Sequence, residues 1–243
     1  MLLAATDSGA THPWPHAPVD PSVPSRFEKW LPTLLSVIAG MVDLTGFLNL
    51  GNLFTAHITG NLVVVAALVV RGAQMNPAQV LAIPVFMLAV AAVWLLARTS
   101  GRRGPSLARL LLLTQFLLLA SVLIFSAITK PSINPHGLMA GITAMIAVSA
   151  MACQFTLLRL AFPVAPSTAV MTGNLTNTVL SLVDSLSRTH HLMAGDAERL
   201  RGSSHLLIGF FGGCIVAAGA VSLFGDWAWS FPVALAGAAI ILR

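Results

Sequence analysis

Eight apolar runs punctuate the chain, at about 30–50, 53–70, 78–97, 107–128, 138–161, 168–186, 204–224 and 227–242. A helix that crosses a bilayer needs roughly 20 mostly apolar residues, and six of the runs reach or approach that length. The run at 227–242 is short, and 168–186 carries many Thr, Ser and Asn residues for a segment facing lipid. An open sheet is excluded inside hydrocarbon, where each unpaired backbone group costs several kcal/mol, and the alternation of a barrel strand is missing. The pattern predicts an all-α fold, a polytopic bundle of transmembrane helices.

Composition narrows this further. Of 243 residues, 56% are hydrophobic and only 9% charged, with a mean hydropathy of +0.86. A soluble domain carries roughly 25% charged residues, and a disordered chain cannot be this apolar; both classes are excluded. The 13 Lys and Arg outnumber the 8 Asp and Glu, for a net charge of +5. In a soluble protein that excess points to nucleic acid. Here the basic residues sit between apolar runs, where they orient helices in the bilayer, and no nucleic-acid partner is expected. Cys153 and Cys214 lie far apart inside apolar runs, so neither a disulfide nor a metal site is expected. Residues 1–26 are polar and Pro-rich without the basic start of a signal peptide. They read as a disordered cytoplasmic tail, with His12 and His16 simply solvated.

Positive charges test which runs cross. If all eight do, the two sides hold 8 and 5 basic residues, and the Arg-rich 98–109 stretch falls on the poorer side. If 53–70 and 168–186 dip in and return, the split becomes 11 to 2. Arg26, Lys29, Arg98, Arg102, Arg103, Arg109, Arg159, Arg188, Arg199, Arg201 and Arg243 then share one side, leaving Arg71 and Lys130 on the other. Basic residues concentrate in cytoplasmic loops, so six crossings with both termini in the cytoplasm are expected. The run 53–70 is apolar enough to span by itself, and eight crossings are the alternative.

An internal repeat divides the chain. Thr55-Ala56-His57-Ile58-Thr59-Gly60-Asn61-Leu62 returns as Thr168-Ala169-Val170-Met171-Thr172-Gly173-Asn174-Leu175, an offset of 113 residues. The preceding helix matches weakly at the same offset, in Ser36/Ser149, Ala39/Ala152 and Leu44/Leu157. Repeats of this kind mark many transporter folds. They suggest a first membrane repeat at 27–130 and a second at 131–243, inverted relative to each other if each crosses three times. The two Thr-Gly-Asn segments would then enter from opposite faces and meet near the midplane, where such folds hold substrate. Thr or Asn can cap a helix start and Gly permits a sharp turn. The blander reading is close helix packing at Gly60 and Gly173, with Thr and Asn making interhelical hydrogen bonds.

Three stretches carry a resemblance to a known family: Gly40-Met41-Val42-Asp43, His57-Ile58-Thr59-Gly60-Asn61, and Val170-Met171-Thr172-Gly173-Asn174-Leu175. Over roughly residues 30–242 the chain resembles the YoaK family, bacterial multi-pass membrane proteins grouped as a domain of unknown function. The resemblance implies a cytoplasmic-membrane protein of about six helices and supplies no substrate or reaction. Family members often carry Gln-Asn ahead of an Arg in the fifth helix; here Gln154 is followed by Phe155.

Among intramembrane polar residues Asp43 stands out. A carboxylate in mid-helix costs about 2.5–3.5 kcal/mol on insertion scales, so it normally faces the bundle interior and marks an ion or proton path. Asp43 is therefore a candidate proton acceptor, or else a static partner for a Thr, Asn or His. His57 could titrate with it or be a neutral, hydrogen-bonded core residue. Asn49, Asn52, Asn61, Asn174, Asn177 and Gln154 either line a cavity or join helices. Asp184 and Arg188 are spaced for a helical ion pair, Arg159 for a topology anchor, and Gly209 and Gly213 for close packing. Pro84 and Pro232 are expected to kink their helices.

Gly-x-Ser-x-Gly, His-Glu-x-x-His and P-loop motifs are all missing, so no enzyme and no cofactor are expected. These readings converge on a small-solute permease or channel-like transporter that binds a solute or a proton in the bilayer. Its site would comprise Asp43, His57, Thr59, Gly60, Asn61, Gln154, Thr172, Gly173 and Asn174. A non-transporting structural or stress-related membrane protein is the alternative. An intramembrane enzyme would require Asp43 and His57 within about 3 Å of each other or of a common water.

Overall fold

The computed structural model describes residues 26–72, 76–163, 167–168, 170–186 and 194–242. The expected tail with His12 and His16, together with Arg188 and Arg243, lies outside the described residues. All eight apolar runs contain helix: α1 (Arg26–Asn49), α2 (Gly60–Val70), α3 (Pro77–Thr99), α4 (Gly104–Thr129), α5 (Leu138–Ala161), α6 (Met171–Leu186), α7 (Ala194–Phe224) and α8 (Ser230–Ile241). Short 3-10 turns at Pro131–Ile133 and Gly225–Trp229 complete an all-α bundle, and the described residues contain no strand.

Where the helices stop follows from local chemistry. Gly51 and Asn52 both take positive φ, +74° and +59°, and end α1 with a sharp turn. α2 therefore starts at Gly60, well inside the apolar run that begins at 53. Asn76 caps α3 by accepting from Ala78 N at 3.0 Å, with Pro77 at the first helical position. Pro84 lies inside α3. Pro232 does not interrupt a helix; it falls in the first turn of α8, where a missing N–H leaves no bond unmade.

Five stretches are long and apolar enough to cross a membrane: Trp30–Asn49, Pro77–Thr99, Gly104–Thr129, Leu138–Ala161 and Leu200–Ile241. The last contains the Gly225–Trp229 turn that separates α7 from α8. The bundle is built for an apolar surround. Leu81, Leu88 and Leu95 on α3, Leu117 and Ile124 on α4, and Phe211 and Ile215 on α7 point outward. Ser36, Asp43, Asn61, Gln115 and Gln154 are buried. This reverses the soluble pattern, and the chain is an integral membrane protein.

Two parallel helix pairs organise the interior. α1 lies along α7: Ser36 Oγ donates to Leu206 O at 2.6 Å, and Asn49 Nδ2 to Gly225 O at 3.5 Å. Gly40 and Gly213 sit where a Cβ would strike the backbone of the opposite helix, at Phe210 and Val37. α3 lies along α5, with Ala78 beside Gly141 and the Phe86 and Phe155 rings 6.1 Å apart. α4 covers α5, and α8 covers α4 where Gly237 lies under the Phe116 ring.

The ends of the bundle can be told apart by their contacts. At one, Gly51 meets Asn76, Pro135 and His136, and Ser132 Oγ donates to Asp226 Oδ2 at 2.6 Å. At the other lie Arg98, Arg102, Arg103 and Arg159, because α3 and α5 run parallel and both finish there. Asn76 Nδ2 and Gln79 Nε2 donate to Gly51 O, and Gln79 Nε2 also to Asn52 O at 3.1 Å. Residues 51–76 thus leave and return at the Gly51 end. α7 runs parallel to α1, so the ends of α5 and α7 that flank α6 both lie at the arginine end.

Candidate functional site

Asp43 is the sixth residue before the end of α1, about 9 Å along the helix axis at 1.5 Å per residue. The chain reverses at Gly51-Asn52 and runs back beside α1 to that depth. Oδ1 of Asp43 accepts from the backbone N–H groups of Thr55 and Ala56, both at 2.8 Å. Longer contacts of 3.4 Å come from Thr55 Oγ1 and His57 N. Oδ2 lies 2.7 Å from His57 Nδ1. One carboxylate thus gathers consecutive N–H groups into an anion-binding concavity, and its remaining oxygen holds the imidazole.

This arrangement answers the cost of a carboxylate in hydrocarbon. Each oxygen has donors, and charge-assisted bonds are the stronger kind. The Asp43 side chain is 6% exposed and that of His57 32%. The His57 ring meets Phe210 of α7 edge-on, with centroids 5.0 Å apart. Nδ1 faces the carboxylate, so Nε2 is the nitrogen left over, and it has no hydrogen-bond partner among the described residues. The pair couples the loop before α2 to both α1 and α7.

The Thr-Gly-Asn segments do their work through asparagine. Asn61 Nδ2 donates to Phe54 O at 2.8 Å, and Asn61 Oδ1 accepts from Phe54 N at 2.9 Å. In the second copy Asn174 Nδ2 donates to Ser167 O at 2.8 Å. Phe54 and Ser167 are themselves one repeat apart, so each amide closes a loop on the residue seven positions before it. The threonines do not cap as expected. Thr59 stands at the start of α2 in helical conformation with no side-chain bond, and both Thr59 and Thr172 are exposed. A Cβ on Gly60 would meet the Phe54 ring at 3.0 Å, and one on Gly173 the Val170 side chain at 3.1 Å.

The remaining candidates divide. Gln154 is fully buried; it donates to Leu35 O at 2.9 Å and accepts from Gln115 Nε2 at 2.7 Å, tying α1, α4 and α5 together. It belongs to the interhelical framework and not to the Asp43 cluster. No hydrogen bond between described residues joins the two Thr-Gly-Asn segments; α2 packs on α3 and α6 on α7. Asn52 and Asn177 are exposed. Sequence reasoning missed Gln115, Gln79 and Asp226. A signal existed only for the helix start beside Gln79, in the Asn76-Pro77 pair. At the foot of α5 a cavity of about 20 Å³ is lined by Phe155, Leu158, Arg159, Phe162, Pro163 and Ser167.

Residues 31–242 match the family described as Protein of unknown function (DUF1275). The chain belongs to the DUF1275 family. The matched DUF1275 region takes in Asp43, His57 and both Thr-Gly-Asn segments. No curated protein and no solved structure shows a significant match to the chain.

Proposed function

We propose that this DUF1275 protein is a gradient-driven permease for a small solute, held in the bacterial cytoplasmic membrane by six crossings. One observation carries the reading: a buried carboxylate, Asp43, bonded to His57 Nδ1 at 2.7 Å inside an apolar bundle, with Nε2 left over. Imidazole beside a carboxylate is a side-chain pair that proteins use to take up and pass on protons. It lies on a re-entrant loop whose movement would carry His57 away from Phe210 and α7. The His57-Ile58-Thr59-Gly60-Asn61 stretch, which resembles the YoaK type, is the basis for placing this chain with that type within the family.

Two inverted halves, 27–130 and 131–243, are part of the proposal. In support, Asn61 and Asn174 make matching bonds, and the parallel pairs α1–α7 and α5–α3 exchange when the halves are exchanged. The segments carrying α2 and α6 open toward opposite ends. α2 is about 16 Å long against a hydrocarbon core of roughly 30 Å, so it reaches about halfway. The crossings are then α1, α3, α4, α5, α7 and the turn with α8, and the arginine end is cytoplasmic.

Solute uptake into vesicles under an imposed pH gradient tests the proposal. Asp43→Asn keeps the shape and one acceptor oxygen, and is expected to abolish acceleration by the gradient. Undiminished acceleration rejects the role of Asp43. A second reading, a non-transporting membrane protein, is favoured by the engagement of Asn61 and Asn174 with their own loops. Asp43 and His57 also meet the separation set for an intramembrane enzyme. Among the described residues no nucleophilic side chain is bonded to Nε2, and catalysis is not proposed.

A further inference from the structure

α2 and α6 hold matching places in the two halves, and their surfaces differ. After Asn61, every residue of α2 is apolar. Stepping 113 residues on, Val63 becomes Thr176, Val64 becomes Asn177, Val65 becomes Thr178 and Leu68 becomes Ser181. Thr178 and Ser181 share a side with the buried Asn174 and are half-buried, and Thr178 Oγ1 donates to Asn174 O at 2.9 Å. Thr176 and Asn177 are exposed. Thr176 Oγ1 turns back to Thr172 O at 3.0 Å. The Asn177 amide has no hydrogen-bond partner among the described residues.

Lipid suits the outer face of α2 and not that of α6. The chain on either side of α6 lies at the arginine end, so in the opposed-hairpin arrangement Met171 is its deepest residue. Asn177 is six residues, about 9 Å, back from there along a helix of 16 residues, inside the hydrocarbon. An unpaired amide at that depth is costly, and it joins helices where a partner is offered. Gly173, Asn177 and Leu180 are spaced four and three apart, the repeat of a helix-pair seam. Leu180 is 58% exposed. A Cβ on Gly173 would meet only Val170 of the preceding loop, so a second helix can come close. Asp184, the next seam position, falls in the last turn of α6 at the arginine end, where water and headgroups reach it.

We infer that this stripe is the interface of a homodimer, occupied by α6 of a second copy. Copies in one membrane share an orientation, so their two-fold axis runs along the membrane normal. Each seam residue then meets its own counterpart at the same depth. An amide can make that meeting because it carries both donors and an acceptor. Asn177 bonds to Asn177 of the second copy, and a buried Asn in such a seam also fixes the register of the pair. The inference rests on the placing of α6 in the bilayer and goes beyond the permease reading.

The test uses the full chain in bilayers, with dimerisation followed by single-molecule photobleaching as lipid dilutes the protein. Wild type is expected to dimerise reversibly. Asn177→Val, which installs the residue of the first half, weakens the dimer about three- to twentyfold, and Asn177→Gln, which keeps the amide, restores most of it. With Cys153 and Cys214 replaced by Ala, Leu180→Cys is expected to form a disulfide-linked dimer under mild oxidation. Ala67→Cys, its exposed equivalent on α2, is not. Equal cross-linking of Leu180→Cys and Ala67→Cys reports random collision and overturns the inference. So does a chain that is monomeric at every dilution, or a dimer equally tight in wild type and Asn177→Val. A monomer whose Leu180→Cys reacts freely with a membrane-impermeant maleimide assigns the face to water, which also overturns it. Amide-dependent dimers in a chain whose Asp43→Asn variant keeps gradient acceleration sink the permease reading and leave this interface. Monomers with Asp43-dependent uptake do the reverse.

Discussion

A carboxylate inside a bilayer has to be answered by donors, and the answer at Asp43 comes from the loop that follows its own helix. Two short backbone bonds and one imidazole satisfy it. Asp43→Asn retains an acceptor for Thr55 and Ala56 and should assemble, whereas Asp43→Leu orphans those N–H groups at about 1–3 kcal/mol each. Thermal unfolding in detergent is expected to rank wild type first, Asp43→Asn next and Asp43→Leu last; equal midpoints for Asp43→Leu and wild type would remove the carboxylate from the framework. Both Asp43 and His57 stood out in the sequence, because charge and imidazole are rare in apolar runs. Their contact did not, since it depends on a reversal at Gly51-Asn52 that brings residues 12 to 14 positions apart to the same depth. Gln115 escaped notice for a related reason: one amide in an apolar run looks like noise until its partner across the helix interface, Gln154, is known.

Helices and loops here are joined by small residues and amides. Gly40 and Gly213 let α1 and α7 touch backbone to backbone, while Gly212 and Gly219 face open space. Gly213→Val is expected to cost about 1–3 kcal/mol or more by overpacking, and Gly219→Ala to be close to neutral. Thermal midpoints of both variants check this, and a neutral Gly213→Val contradicts the parallel α1–α7 contact. Asn61→Leu strips Phe54 of two hydrogen bonds and should free the loop before α2 by about 2–4 kcal/mol. Faster amide exchange confined to residues 51–59 is the expected signature; exchange unchanged there would make the amide clamp superfluous. The repeat was readable as letters, and both of its asparagines close the loops before their helices. Their use was not, because capping chemistry points to the next turn of helix, whereas these side chains reach seven residues back.

The eight apolar runs and the all-α bundle were legible because lipid leaves a chain few options for its backbone. What lay beyond the pattern was the route between runs. Hydropathy gives α2 the character of a span, and only the bonds from Asn76 and Gln79 to Gly51 bring its flanks back together. An architecture of two hairpins entering from opposite membrane faces makes a sharp demand on topology. Single cysteines at Asn52, Arg71, Pro163 and Arg201, all exposed, can be introduced after Cys153 and Cys214 are replaced by Ala, and labelled in intact cells with a membrane-impermeant maleimide. The account predicts labelling of Asn52→Cys and Arg71→Cys from outside, with Pro163→Cys and Arg201→Cys reached only after the membrane is opened. Asn52→Cys and Arg71→Cys reacting from opposite faces would make 53–70 a crossing and contradict the opposed-hairpin architecture.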